Sequence, residues 1–123
     1  FQFGRPIGSF QAIKHMCADL LVQVESAYSA AYYAAWGLAD GAADATESVC
    51  LAAAFCADAF GKVAADNIQI HGGIGFTWEH PAHLYLRRAR SGLALLGSPA
   101  AHRERYLAAV IDRSPAQPTG GRA

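Results

Sequence analysis

The sequence predicts an all-α fold, an antiparallel four-helix bundle of two long and two shorter helices. Apolar residues return at alternating steps of four and three along two long stretches, and no stretch alternates with the period of a strand. The first three helical patterns end on glycine or on Gly-Ser-Pro, which marks where the chain must turn. At 123 residues, 53% hydrophobic and 16% charged, the chain has room for one domain with a real core.

The first eight residues hold Gly4, Pro6 and Gly8 and predict an extended leading segment, which Pro6 keeps from being helical. Ser9 is the expected N-cap of a first helix of about thirty residues. Its inward stripe is read as Ile13, Cys17, Leu20, Val24, Ala27, Ala31, Ala34 and Leu38, with Gln11, His15, Asp19, Gln23, Ser26 and Ser29 on another face. Asp40-Gly41 ends it, with Gly41 in the left-handed C′ place.

Asp44 or Thr46 caps a second long helix, with Glu47 in its first turn, where a negative charge suits the helix dipole. Val49, Ala53, Cys56, Phe60, Val63, Asn67 and Ile70 form its stripe. Two long helices joined by so short a turn run antiparallel, and their alanine-rich seams allow close approach. The helix runs into Gln69-Ile70-His71-Gly72-Gly73-Ile74-Gly75-Phe76 and stops. Pro81 opens a third helix to about Leu95, with Arg87, Arg88 and Arg90 on its basic side. Ser98-Pro99 repeats the start signal for a last helix to about Asp112, expected to bury Leu107, Val110 and Ile111. These elements define a domain over residues 1–113. Residues 114–123 carry no apolar anchor and are expected to be a disordered tail.

Ten basic residues balance ten acidic ones, so no overall field favours nucleic acid. Three cysteines, Cys17, Cys50 and Cys56, lie in apolar patterns without ligand spacing and are read as buried small hydrophobes in a reducing, cytoplasmic compartment. No signal-peptide layout opens the chain, and no continuous apolar run reaches the ~18 residues of a membrane span; Asp58, Lys62, Asp66 and Gln69 interrupt the second helix. The abrupt start at Phe1 suggests a fragment of something longer.

His71, His80 and His83 cluster near the glycines, but no carboxylate or thiol completes a metal set with ligand spacing. Capping and backbone bonding are the expected roles of these histidines. Glu79 is the one carboxylate beside the glycines and is read first as a helix-start cap. No nucleophile has an adjacent base. The glycine corner lacks the Gly-Lys-Ser/Thr ending of a P-loop and follows a helix, not a strand. By its chemistry it is either a structural helix stop or a cradle for an anion or a ligand edge, since a backbone without Cβ admits close approach.

Phe3-Gly4-Arg5-Pro6-Ile7 with Gln11, followed some sixty residues later by the Gln69–Phe76 corner, resembles the C-terminal domain of the acyl-CoA dehydrogenase flavoprotein family over about Phe1 to Asp112. The resemblance implies a four-helix bundle forming the last third of a larger enzyme. It implies that Phe3 and Gln11 contact the adenosine side of FAD, and that Gln69, Gly72 and Gly73 approach the same cofactor across a subunit interface, so that the assembly is at least a dimer. Ser98 keeps a hydroxyl that the family directs towards the flavin. The implied reaction converts an acyl-CoA thioester to the trans-2-enoyl-CoA, with an electron-transfer flavoprotein as acceptor. The family's usual catalytic glutamate immediately precedes a Gly-Thr pair; here Gly97-Ser98 follows Leu96, which cannot take a proton. Either the base lies upstream, or this is a silent subunit beside an active one. Thr77-Trp78-Glu79-His80-Pro81 resembles an actinobacterial branch in which some members form mixed assemblies for bulky substrates.

Overall fold

The computed structural model describes residues 1–113, and the segment expected to form a disordered tail lies outside them. Four α-helices follow one another: α1 (Gln11–Asp40), α2 (Ala45–His71), α3 (Ala82–Leu96) and α4 (Pro99–Arg113). Among the described residues there is no strand. The predicted all-α fold and the two-long, two-short helix set are what the structure shows.

α2 is the central helix. α1 packs along one side of it, and α3 and α4 pack along the other, with no comparable contact between α1 and α3 or α4. The α1–α2 register is antiparallel: the Cys56 thiol donates to the Ala27 carbonyl (3.4 Å), and Ile13 and Ile70 share a hollow at the far end. On the other side, Arg103 pairs with Asp58 near the middle of α2 and Arg113 with the buried Glu47 at its start (3.0 Å). α3 and α4 therefore follow α2 in tandem, like one antiparallel helix broken at Gly97. The stretch Ala45–Phe76 is long and apolar enough, by length and composition, to cross a membrane. Here it is the helix on which all the others pack.

Small residues make this packing possible. The buried apolar residues are Ala34, Cys50, Ala52, Ala54, Ala59, Ala64, Ile68, Ala82 and Ala89, so Ile68 is the one large side chain among them. Alanine seams let axes approach closely but remove little apolar area per residue from water. The large side chains stand outside: Tyr28, Tyr32 and Trp36 on α1 are 62%, 68% and 60% exposed.

Several local expectations are corrected. The inward seam of α1 is Ile13, Met16, Leu20, Gln23, Ala27, Ala30, Ala34 and Gly37. Half of the expected stripe holds, but Cys17, Val24, Ala31 and Leu38 fall one position outside and form an exposed apolar shoulder, so Cys17 is not buried. Both phases satisfy a helical period, and Gln23 concealed the true one. In α4 Leu107 and Ile111 are exposed, while His102, Tyr106, Ala109 and Val110 turn inward. The leading segment is folded: Gln2 and Arg5 exchange backbone bonds across Phe3-Gly4, both at positive φ, and Ile7–Ser9 forms a 3-10 turn. That turn occupies Ser9, whose hydroxyl donates to the Pro6 carbonyl (2.7 Å), and Phe10 becomes the N-cap position of α1. Asp44 holds the N-cap position of α2 without a side-chain bond. Gly41 meets its expectation. At φ +67 it closes a Schellman motif, with Ala42 N–H on Gly37 O and Gly41 N–H on Leu38 O.

Candidate functional site: the glycine corner

The three glycines of the corner have separate jobs. Gly72 sits at φ +65, where an L side chain is strained, and its N–H bonds Gln69 O to close α2. Gly75 is buried, and a Cβ there would lie 2.6 Å from the Ile68 carbonyl oxygen and 3.2 Å from His71 Cβ. Gly73 has neither constraint, for nothing lies within 4 Å of an added Cβ and its φ is ordinary. The 3-10 turn Gly72–Phe76 is then locked by Thr77, whose N–H (3.0 Å) and hydroxyl (2.8 Å) both donate to Ile74 O.

The N-terminal turn joins this corner. Gln2, Phe3, Ile7, Phe10, Ala12 and Ile13 enclose a hollow of about 300 Å³ with Ile70, which stands between Gln69 and His71. Phe3 is 85% exposed at the tip, edge-on to Phe10 (6.3 Å), and the Arg5 guanidinium covers the Phe10 ring (3.9 Å). Gln11 opens α1 beside them, its amide bonded to the His15 ring (3.1 Å). Gln69 is exposed and makes no side-chain hydrogen bond among the described residues. Five of the six candidate residues, Phe3, Gln11, Gln69, Gly72 and Gly73, are thus gathered at one end of the α1–α2 hairpin. Ser98 is not. It lies beyond the far end of α3, ~22 Å along that 15-residue helix, where its hydroxyl accepts from Ala101 N–H (3.2 Å) and caps α4.

The groups at the corner suit binding better than proton transfer. A free amide, an exposed ring and a glycine backbone open to solvent fit the phosphate or adenosine edge of a nucleotide. His71 Nδ1 donates to Asn67 O (2.7 Å) and His80 Nδ1 accepts from Ala82 N–H (3.2 Å), the backbone roles expected of them. His83 departs from that expectation: its Nδ1 is buried without a partner, and its ring lies edge-on to Trp78 (4.8 Å). No group of three or more metal-ligating side chains lies among the described residues. Hydrogen bonding from Thr77, followed by its own backbone N–H, draws the exposed Glu79 carboxyl below its usual range. At the other end of α3, Leu96 is 74% exposed, and it lines one hollow with Gly97 and the buried His102.

Residues 1–111 match the model of the acyl-CoA dehydrogenase C-terminal domain. The chain belongs to the acyl-CoA dehydrogenase family. It is 44% identical over 110 residues to the acyl-CoA dehydrogenase IpdE2 of Mycolicibacterium smegmatis, covering 89% of this chain and 33% of that protein. It is 52% identical over 99 residues to FadE34 of Mycobacterium tuberculosis, covering 78% of this chain and 14% of that one. Among solved structures, one described as the electron transferring flavoprotein of Acidaminococcus fermentans has a chain that superposes with a TM-score of 0.84 at 33% identity, over 93% of this chain and 30% of its own. The chain thus spans a third or less of the length of these relatives. As an acyl-CoA dehydrogenase C-terminal domain it has the helical fold that its motifs implied.

Sequence reading overlooked Gly75 and Ile70. Gly75 was visible as the third glycine, but its contact with Ile68 O is a tertiary fact. Ile70 fits the stripe of α2 by its spacing, and its seat under the Phe3 turn follows only once that turn is known to fold back.

Proposed function

We propose that this bundle is the FAD-contacting C-terminal domain of an enzyme that dehydrogenates an acyl-CoA thioester to the trans-2-enoyl-CoA, with the catalytic base supplied from outside residues 1–123. The observation that supports it is the open Gly72–Gly73 edge with Gln69 unengaged beside it and Phe3 and Gln11 at the same end. In this reading Gln69 and the Gly72–Gly73 backbone hold the diphosphate and adenosine portion of FAD from one subunit. Phe3 and Gln11 meet the adenosine side of FAD from that same end, and Ser98 faces the flavin from the far end of α3. The bound flavin would accept the β-hydride that the reaction releases. The ~22 Å length of α3, which separates Ser98 from the corner, fits a site completed by two copies. The exposed aromatic and aliphatic face of α1 fits a domain covered by the rest of its protein and by a second subunit, in a dimer or tetramer. An electron-transfer flavoprotein is the proposed acceptor, and the cytoplasm the proposed compartment.

The experiment is to purify the whole parent chain, alone and with any partner subunit, and to record flavin absorbance and its bleaching by acyl-CoA. Correctly assembled protein that never holds flavin contradicts the proposal. A second reading, a non-catalytic subunit beside an active one, is favoured by Leu96 at the glutamate position. The two readings part on stoichiometry: one flavin per chain of this type with turnover in the homo-oligomer, or turnover only with the partner present.

A further inference from the structure

Two imidazoles meet where the corner joins α3. The rings of His71, the last residue of α2, and His80, two residues before α3 begins, lie 4.2 Å apart with their planes tilted 42°. Their hydrogen bonds fix their protonation. A carbonyl oxygen only accepts, so His71 carries its proton on Nδ1, towards Asn67 O (2.7 Å). A backbone N–H only donates, so His80 Nδ1 is bare where it receives the Ala82 N–H (3.2 Å), and its proton is on Nε2. Ala82 is the first residue of α3, and Pro81 at the N-cap position makes no side-chain cap bond, so His80 supplies the cap that this helix otherwise lacks.

We propose that neutral His80 is a positioning residue that clasps the glycine corner to α3, and that its protonation opens the clasp. A protonated His80 loses the acceptor for Ala82 N–H and places positive charge at a helix N-terminus, where the dipole opposes it. It also leans on His71, a second ring able to charge. No neighbouring charge is paired with either ring. Cys17 of α1 and Tyr85 of α3 line the hollow beside His71, Lys62 and Asp66 of α2 are paired with each other, and His83 and Arg87 of α3 are held on Trp78. Glu79, next to His80 in the chain, is exposed, and neither imidazole has a carboxylate partner among the described residues. The structural consequence is a looser 71–76 segment in acid. The functional one, which rests on the FAD reading above, is weaker cofactor retention.

The test uses the full parent chain in its native oligomer at pH 7.5 and 5.5, with FAD affinity and hydrogen-exchange protection of segments 71–76 and 82–86 as readouts. Wild type is expected to lose roughly tenfold in both on acidification. His80→Asn, whose amide oxygen takes the place of Nδ1 and does not titrate, is expected to behave alike at both pH values. His80→Gln, which reaches the place of Nε2 instead, is expected to lack protection at both. Equal acid loss in wild type and His80→Asn, or full protection in His80→Gln, overturns the proposal. If the protein holds no FAD at either pH, the cofactor reading fails, and the exchange data alone still decide the clasp.

Discussion

At the corner between α2 and α3, Gly72 and Gly73 face open space, while at the break between α3 and α4 Gly97 lies against a buried ring, with His102 Nε2 3.4 Å from where a Cβ would stand. Both places look alike in sequence: an apolar helix, a glycine, then a start signal. What lies behind the glycine separates them. The first turns its backbone outward and leaves Gln69 unengaged beside it, so it can receive a ligand edge. The second turns its backbone onto α4 and serves as a joint, with Ser98 employed as a cap.

Gly75→Val is expected to have the largest effect, because its Cβ would meet the Ile68 carbonyl oxygen, a backbone atom that cannot swing away. A loss of about 3 kcal/mol or more, read as thermal unfolding of the parent chain, is expected. Tolerance of that change would mean that the corner does not rest on α2. Gly97→Ala comes next, at about 1–2 kcal/mol, since its φ of +100 disfavours any side chain. It is expected to lower FAD affinity less than Gly73→Val does, and the reverse order would erase the contrast between the two glycine sites. Ser98→Ala removes the α4 cap and is expected to cost about 1 kcal/mol. If it lowers flavin content without lowering the melting temperature, Ser98 works chiefly on the cofactor.

Much of this was legible in the sequence. Helix order, the Gly41 and Gly72 stops and the Ser98-Pro99 start depend on local chemistry that a single chain displays. The inward seam of α1 was only half legible, because Cys17, Val24, Ala31 and Leu38 are as apolar as the residues that face α2, and the difference is made by packing. The assembly of Phe3 with Ile70 depended on a fold-back that local rules did not reveal, since positive φ at Phe3 is unusual for a residue with a side chain. Leu96 was legible as a departure from the glutamate that the resemblance leads one to expect there.

Gly73→Val tests the central claim most directly, because that position has ordinary φ and open space, so a side chain fits without strain in the chain itself. Measured on the parent oligomer, FAD affinity is expected to fall at least roughly tenfold, as a side chain blocks the backbone approach, while the melting temperature of the FAD-free protein stays within about 2 °C. Unchanged FAD affinity at an unchanged melting temperature would contradict the account and leave the corner a helix stop alone.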